Sequence, residues 1–129
     1  MTAPRSVVIT GAARGLGLAS AAELYRRGWQ VVAAMRSVDA GLARLRAHTG
    51  AGTDDPRLLG VSLDLTDPAS IERCAKDIEA AVGAPFALVH NAGISAAGMV
   101  EETPVSLWET MFATTVFGPV ALTKALLPG

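Results

Sequence analysis

Short apolar runs alternate with longer stretches of helical periodicity along the 129 residues. Ser6 to Thr10, with Val7-Val8-Ile9 at its centre, has the length of a buried strand. A helix is predicted from Leu16 to Arg27, where Leu18 to Arg27 is alanine-rich and free of Pro and Gly. Gly28 stands where a C-terminal cap glycine is favoured. Gln30 to Met35 is a continuous apolar run, the pattern of a strand covered on both faces. Val38 to His48 predicts a helix with Leu42 and Leu45 on one side and Arg44 and Arg46 on the other. Gly50 to Arg57, rich in Gly, Asp and Pro, reads as a loop, and Leu58 to Leu63 as a third strand. Asp67-Pro68 is a helix start, with Asp as N-cap and Pro in the first turn. Ile71, Cys74, Ala75, Ile78 and Val82 then recur at helical spacing, and Gly83-Ala84-Pro85 ends that helix. Phe86 to His90 is a fourth strand. A loop from Asn91 to Thr103 leads to a last helix, Pro104 to Leu127.

Four strand–helix pairs with short connections imply parallel strands and right-handed crossovers. The expected fold is α/β: the first half of a three-layer, Rossmann-like doubly wound parallel sheet, with strand order 3-2-1-4. The order reverses between strands one and four, and a ligand crevice belongs at that reversal. Two distant stretches, Gly11 to Gly17 after strand one and Asn91 to Gly93 after strand four, therefore meet at one site.

Composition narrows the functional classes. Half the residues are hydrophobic and 18% are charged, so one domain with a large core is expected. A net charge of −1 argues against a general nucleic-acid or membrane surface. No apolar stretch is read as approaching bilayer length, and residues 1–6 lack the hydrophobic region of a secretory leader. The single cysteine, Cys74, lies on an apolar helical stripe and is expected in the core, in keeping with a reducing cytoplasm. His48 is expected to be solvated. His90 ends strand four near the crevice, without a triad or metal set around it, and no metal site is expected.

The chemistry concentrates in Thr10-Gly11-Ala12-Ala13-Arg14-Gly15-Leu16-Gly17. Glycines at a strand-to-helix turn let the backbone approach a ligand, and the helix aims its unpaired N–H groups at it. A diphosphate is the usual occupant. The spacing is G-x-x-x-G-x-G, different from the commoner G-x-G-x-x-G.

With Asp64-Leu65 after strand three and Asn91-Ala92-Gly93 after strand four, these residues resemble the short-chain dehydrogenase/reductase family. Val116-Phe117-Gly118-Pro119 through Leu126-Leu127-Pro128 looks like that family's next helix, so the resemblance covers the whole chain. It implies that Gly11, Gly15 and Gly17 let the backbone approach a pyrophosphate and that Leu16 contributes an amide. Asp64 would hydrogen-bond the adenine with Leu65 packed beside it, and Asn91, Ala92 and Gly93 would wall the ribose side. Thr10 would contribute a hydrogen bond within the turn. A carboxylate at the end of strand two would mark NAD, but Arg36-Ser37 stands there, and Arg14 in the glycine loop reaches the same point. A guanidinium suits a 2′-phosphate, so NADP(H) is favoured over NAD(H). Asp39, the nearest acid, falls in the following helix.

The family's proton transfer uses Tyr, a Lys four residues later, Ser and Asn. Here the only tyrosine is Tyr25 and no Tyr-x-x-x-Lys occurs. The family Asn aligns with Thr115, whose carbonyl would hold a relay water. Pro119, four residues on, has no N–H, so that carbonyl loses its helical partner. Ser95 is a candidate substrate contact. Residues 1–129 are therefore expected to be an NAD(P)-binding domain that stops before the Tyr-x-x-x-Lys segment. The leading reading is the amino-terminal half of an NADP-dependent oxidoreductase acting on a small carbonyl or alcohol. The alternatives are a noncatalytic nucleotide-binding module and one half of a split enzyme. An open edge on strand four and a bare last helix predict a homo-oligomer, or association with a missing carboxy-terminal half.

Overall fold

The computed structural model describes residues 3–94 and 98–127. Four parallel strands, β1 (Ser6–Thr10), β2 (Gln30–Met35), β3 (Leu58–Ser62) and β4 (Ala87–Val89), form one sheet in the order β3-β2-β1-β4. That is the expected order. Val7, Val8 and Ile9 of β1 face Val31, Val32 and Ala33 of β2 in register. Because side chains alternate across a strand, these runs feed two cores. Val7, Ile9, Val31, Ala33 and Met35 pack against Ala21 and Tyr25 of α1 (Gly15–Arg26) and Leu45 of α2 (Val38–Thr49). Val8, Val32, Ala34 and Val61 pack on the other face against Ile71, Cys74 and Ile78 of α3 (Pro68–Val82). Burial of each large aliphatic side chain contributes about 1.5–3 kcal/mol, and burial on both faces explains why the strands are apolar without alternation.

Local chemistry sets the element ends. Asp67 caps α3 by accepting the Ala69 N–H at 3.0 Å, with Pro68 in the first turn. The loop between α2 and β3 is held by Tyr25, which donates to the Asp55 carboxylate. The Arg57 guanidinium lies 4.3 Å from the centre of the Tyr25 ring, and the Arg57 amide bonds the same carboxylate at 2.9 Å. This cluster lies where β3 begins, at the end of the sheet away from the Thr10 turn. β4 is shorter than expected. Phe86 is exposed and packs with Trp29 at 5.7 Å between ring centres, under the Arg5 guanidinium. At the other end the His90 ring turns to Thr123, with Nε2 at 2.7 Å from Oγ1.

The last helix departs from the expectation of one uniform element. A short 3₁₀ turn, Val100–Glu102, precedes α4 (Val105–Phe112), a π turn (Ala113–Phe117) and α5 (Gly118–Leu126). Two features shift the hydrogen bonding. Pro119 supplies no N–H, and the Gly118 N–H goes to the Ala113 carbonyl. Gly118 is also pressed against the segment after β3: a Cβ there would lie 2.5 Å from the Leu65 carbonyl oxygen. The expectation that no apolar stretch reaches bilayer length is corrected, since Val105–Leu126 runs as 22 helical residues of sufficient length and apolarity. The Thr110 and Thr123 hydroxyls bond back to the Ser106 and Pro119 carbonyls, so polar positions do not interrupt it. One face of this helix has a protein partner: Leu122 is fully buried with Ile71, Cys74 and Ile78.

Candidate functional site

The site starts where β1 stops. Gly11 (φ +68°) and Gly15 (φ +59°) turn the chain through the left-handed region, and the Gly11 N–H bonds the Ala34 carbonyl at 2.9 Å. Gly17 serves close approach instead. A Cβ there would lie 2.2 Å from the Gly11 carbonyl oxygen and 2.4 Å from Asn91 Nδ2. Two hydrogen-bonding side chains lock this turn to the residues after β4. The buried Thr10 hydroxyl oxygen accepts the N–H of Asn91 at 3.1 Å and of Ala92 at 3.0 Å. Asn91 Nδ2 donates to the Gly11 carbonyl at 3.1 Å. The expected meeting of the two stretches is thereby formed.

A crevice of about 720 Å³ opens beside them. Gly11 and Arg14 line it from the glycine turn, Arg36 and Ser37 from the end of β2, and Asp64 and Leu65 from the segment after β3. Asn91, Ala92, Gly93 and Ile94 close the side next to β4. The remaining expected residues stand outside the lining. Thr10 and Gly17 are buried behind it as supports. Gly15 and Leu16 form the first turn of α1, whose N-terminus has no side-chain cap and no acidic residue. Its N–H groups are thus left to an anion. Thr115 is exposed within the π turn, and its neighbour Thr114 lines the crevice in its place. Ser95 lies outside the described residues.

The charges on the lining are unequal. Arg14, Arg36 and Arg44 border the crevice against one carboxylate, Asp64. The Thr66 hydroxyl (2.7 Å) and the Thr66 amide (3.0 Å) both donate to Asp64 Oδ1. These bonds, with a smaller contribution from the Arg36 charge, hold the Asp64 carboxyl below the usual carboxylate range against the opposing effect of burial. Ser70 fixes the segment by accepting the Asp64 N–H at 2.8 Å. Elsewhere, burial pushes the Cys74 thiol up to about 12, as suits a core residue, and holds the His90 ring below its ordinary value.

Sequence reasoning missed two polar lining residues, Arg44 and Thr114. Arg44 was placed only on the polar side of its helix, yet its Nη1 donates to the Ala13 carbonyl at 3.1 Å. Thr114 is buried, and among the described residues its hydroxyl oxygen has no hydrogen-bond partner. Its one sequence signal is its place beside Thr115, four residues before the glycine that presses on Leu65.

Residues 5–129 match the model of the short chain dehydrogenase family. Dehydrogenase/reductase SDR family member 7B of Bos taurus is 38% identical over 125 residues, covering 95% of this chain and 38% of that protein. The chain thus spans about two fifths of the length of the curated relatives it matches. A short-chain dehydrogenase from Streptomyces avermitilis superposes with a TM-score of 0.85 at 35% identity, over 97% of this chain and 44% of that one. A metagenomic short-chain oxidoreductase in complex with NADP superposes with a TM-score of 0.84 at 30% identity, over 95% of this chain and 54% of that one.

Proposed function

The chain belongs to the short-chain dehydrogenase family, and from that premise we propose that it forms the cofactor-binding half of an NADP(H)-dependent oxidoreductase. The substrate class is a small carbonyl or alcohol. The observation that carries the NADP(H) reading is the pair Arg14 and Arg36 on one crevice, with Ser37 rather than a carboxylate at the end of β2. A carboxylate there would repel a ribose 2′-phosphate, whereas two guanidiniums attract and orient it. The complex of a structural relative with NADP supports the same choice.

The residues present fit such a cofactor. Gly11 and Gly17 leave the turn free of Cβ atoms where the backbone packs closest, and the uncapped first turn of α1 offers amides to a pyrophosphate. Asp64 holds its Oδ1 on Thr66, leaving Oδ2 to accept from an adenine amino group beside Leu65. When bound, the nicotinamide supplies the hydride chemistry; the protein positions and polarises.

For proton movement the π turn is the relevant element. In an α-helix the Thr114 and Thr115 carbonyls would accept from residues 118 and 119. Here the Gly118 N–H is engaged with Ala113 and Pro119 has none. Both carbonyls are therefore released from their helical partners, and Thr115 is the one proposed to hold a relay water. π turns recur at functional sites. Tyr25, tied to Asp55 and packed against Arg57, is committed to structure. In this reading the proton-transferring Tyr and Lys come from outside residues 1–129. A second reading, a nucleotide-binding module without chemistry, uses the same crevice. NADPH oxidation over a panel of carbonyl compounds, assayed with the Tyr- and Lys-bearing segment supplied, is expected in the first reading and absent in the second.

Calorimetric titration with NADPH and NADH tests the cofactor. NADPH is expected to bind at least about tenfold more tightly. Arg36→Gln should bring the two affinities to within about threefold. Equal affinities in the unsubstituted protein would overturn the NADP(H) reading.

A further inference from the structure

We propose that Arg44 is a third specificity-determining arginine of the crevice, selecting a phosphate on the adenosine ribose from a position fixed by the glycine loop itself. The inference rests on the NADP(H) reading above and names a residue outside the expected pair.

The argument begins with Gly41. This residue is buried in α2, and a Cβ there would lie 2.1 Å from Met35 Sδ and 3.4 Å from the Ala13 side chain. The absence of a side chain lets α2 lie directly against the end of β2 and the glycine loop. Arg44 stands three residues later on the same helical face. At that distance its Nη1 reaches the Ala13 carbonyl at 3.1 Å. The bond uses one of the five N–H donors of a planar guanidinium, and it holds the guanidinium on the carbonyl of Ala13, the residue that precedes Arg14. Arg14, Arg36, Ser37 and Arg44 all border one crevice. A cation already held by the loop loses less side-chain freedom when an anion arrives, so it favours binding more than a free surface arginine does.

Arg44 has two separable effects. Holding the loop supports the pyrophosphate, which NADPH and NADH share. A positive charge on the crevice that Arg14 and Arg36 also line acts on the extra phosphate, which only NADPH carries. The discriminating quantity is therefore the ratio of the two affinities.

The experiment is calorimetric titration of the intact protein with NADPH, NADH and adenosine 2′,5′-bisphosphate, before and after Arg44→Gln. Arg44→Met is a second neutral variant, and circular dichroism verifies that each is folded. The neutral variants should weaken NADPH and the bisphosphate roughly tenfold and NADH less than about twofold. Arg44→Lys, which keeps the charge, should regain most of the loss. Equal weakening of NADPH and NADH would mean that Arg44 only holds the loop, and no weakening would mean that it does neither; both overturn the proposal. If the unsubstituted protein does not prefer NADPH, the NADP(H) reading fails first and takes this inference with it. A preference that Arg36→Gln abolishes and Arg44→Gln leaves intact refutes this inference alone.

Discussion

Thr10 carries more of the site than its size suggests. Its hydroxyl oxygen accepts two N–H groups that lie just past a strand end 81 and 82 residues away in sequence, those of Asn91 and Ala92. Valine has nearly the same shape and no acceptor. Thr10→Val should leave both amides without this acceptor and cost about 2 kcal/mol, within the usual range for such groups. Urea unfolding would read this as a lower midpoint at unchanged slope, and Thr10→Ser should restore it. An unchanged midpoint would show that the amides find other partners. The glycine turn was legible because its meaning is local: a strand, a spaced glycine set and a helix in succession. Arg14 and Arg36 were legible because each sits beside an element end. Arg44 was not. Its place on the crevice depends on Gly41 admitting α2 against Ala13, a contact between elements that periodicity does not encode.

At the scale of elements, the segment from β3 to α3 shows how a binding carboxylate is kept ready. Asp64 receives the Thr66 hydroxyl and amide, gives its own N–H to Ser70, and runs directly into the Asp67 cap. These bonds favour the charged form, so the folded-state pKa lies below the unfolded value, about 3.9 for aspartate. The resulting stabilisation is present above the unfolded value and is lost as pH falls through the folded one. Thr66→Val removes the hydroxyl, the larger cause, and should raise the Asp64 pKa towards its ordinary value. The acid-unfolding edge should move up with it. Carboxyl-carbon NMR titration of Asp64 checks this, and an unmoved titration would refute it. The strands and the first three helices were legible from burial on two faces and from caps. The π turn was only half legible. Pro119 announced a lost donor, but the diversion of the Gly118 N–H to Ala113 and the packing of Gly118 on Leu65 require the folded neighbour.

For the whole molecule the question is what its uncovered surfaces do. β4 pairs with β1, and among the described residues its other side has no strand, with Val89 partly exposed at that edge. Trp108 and Phe112 of α4 and Val116 of the π turn recur every four residues and are exposed at 39%, 48% and 42%. The Phe117 ring lies 6.3 Å from that of Phe112, extending the same patch. A stripe of this kind on an otherwise ordinary surface marks an interaction site, and an unpaired parallel edge invites a further strand. The 13.2 kDa chain alone should therefore associate with itself as concentration rises. Sedimentation equilibrium would show this as a mass that increases with loading. The double variant Phe112→Glu/Phe117→Glu should shift the mass towards one chain while leaving the far-ultraviolet spectrum unchanged, because neither ring belongs to the two buried cores. A constant mass of one chain across the concentration range would refute the prediction. Association that survives the double variant would assign it to the β4 edge rather than to the helix.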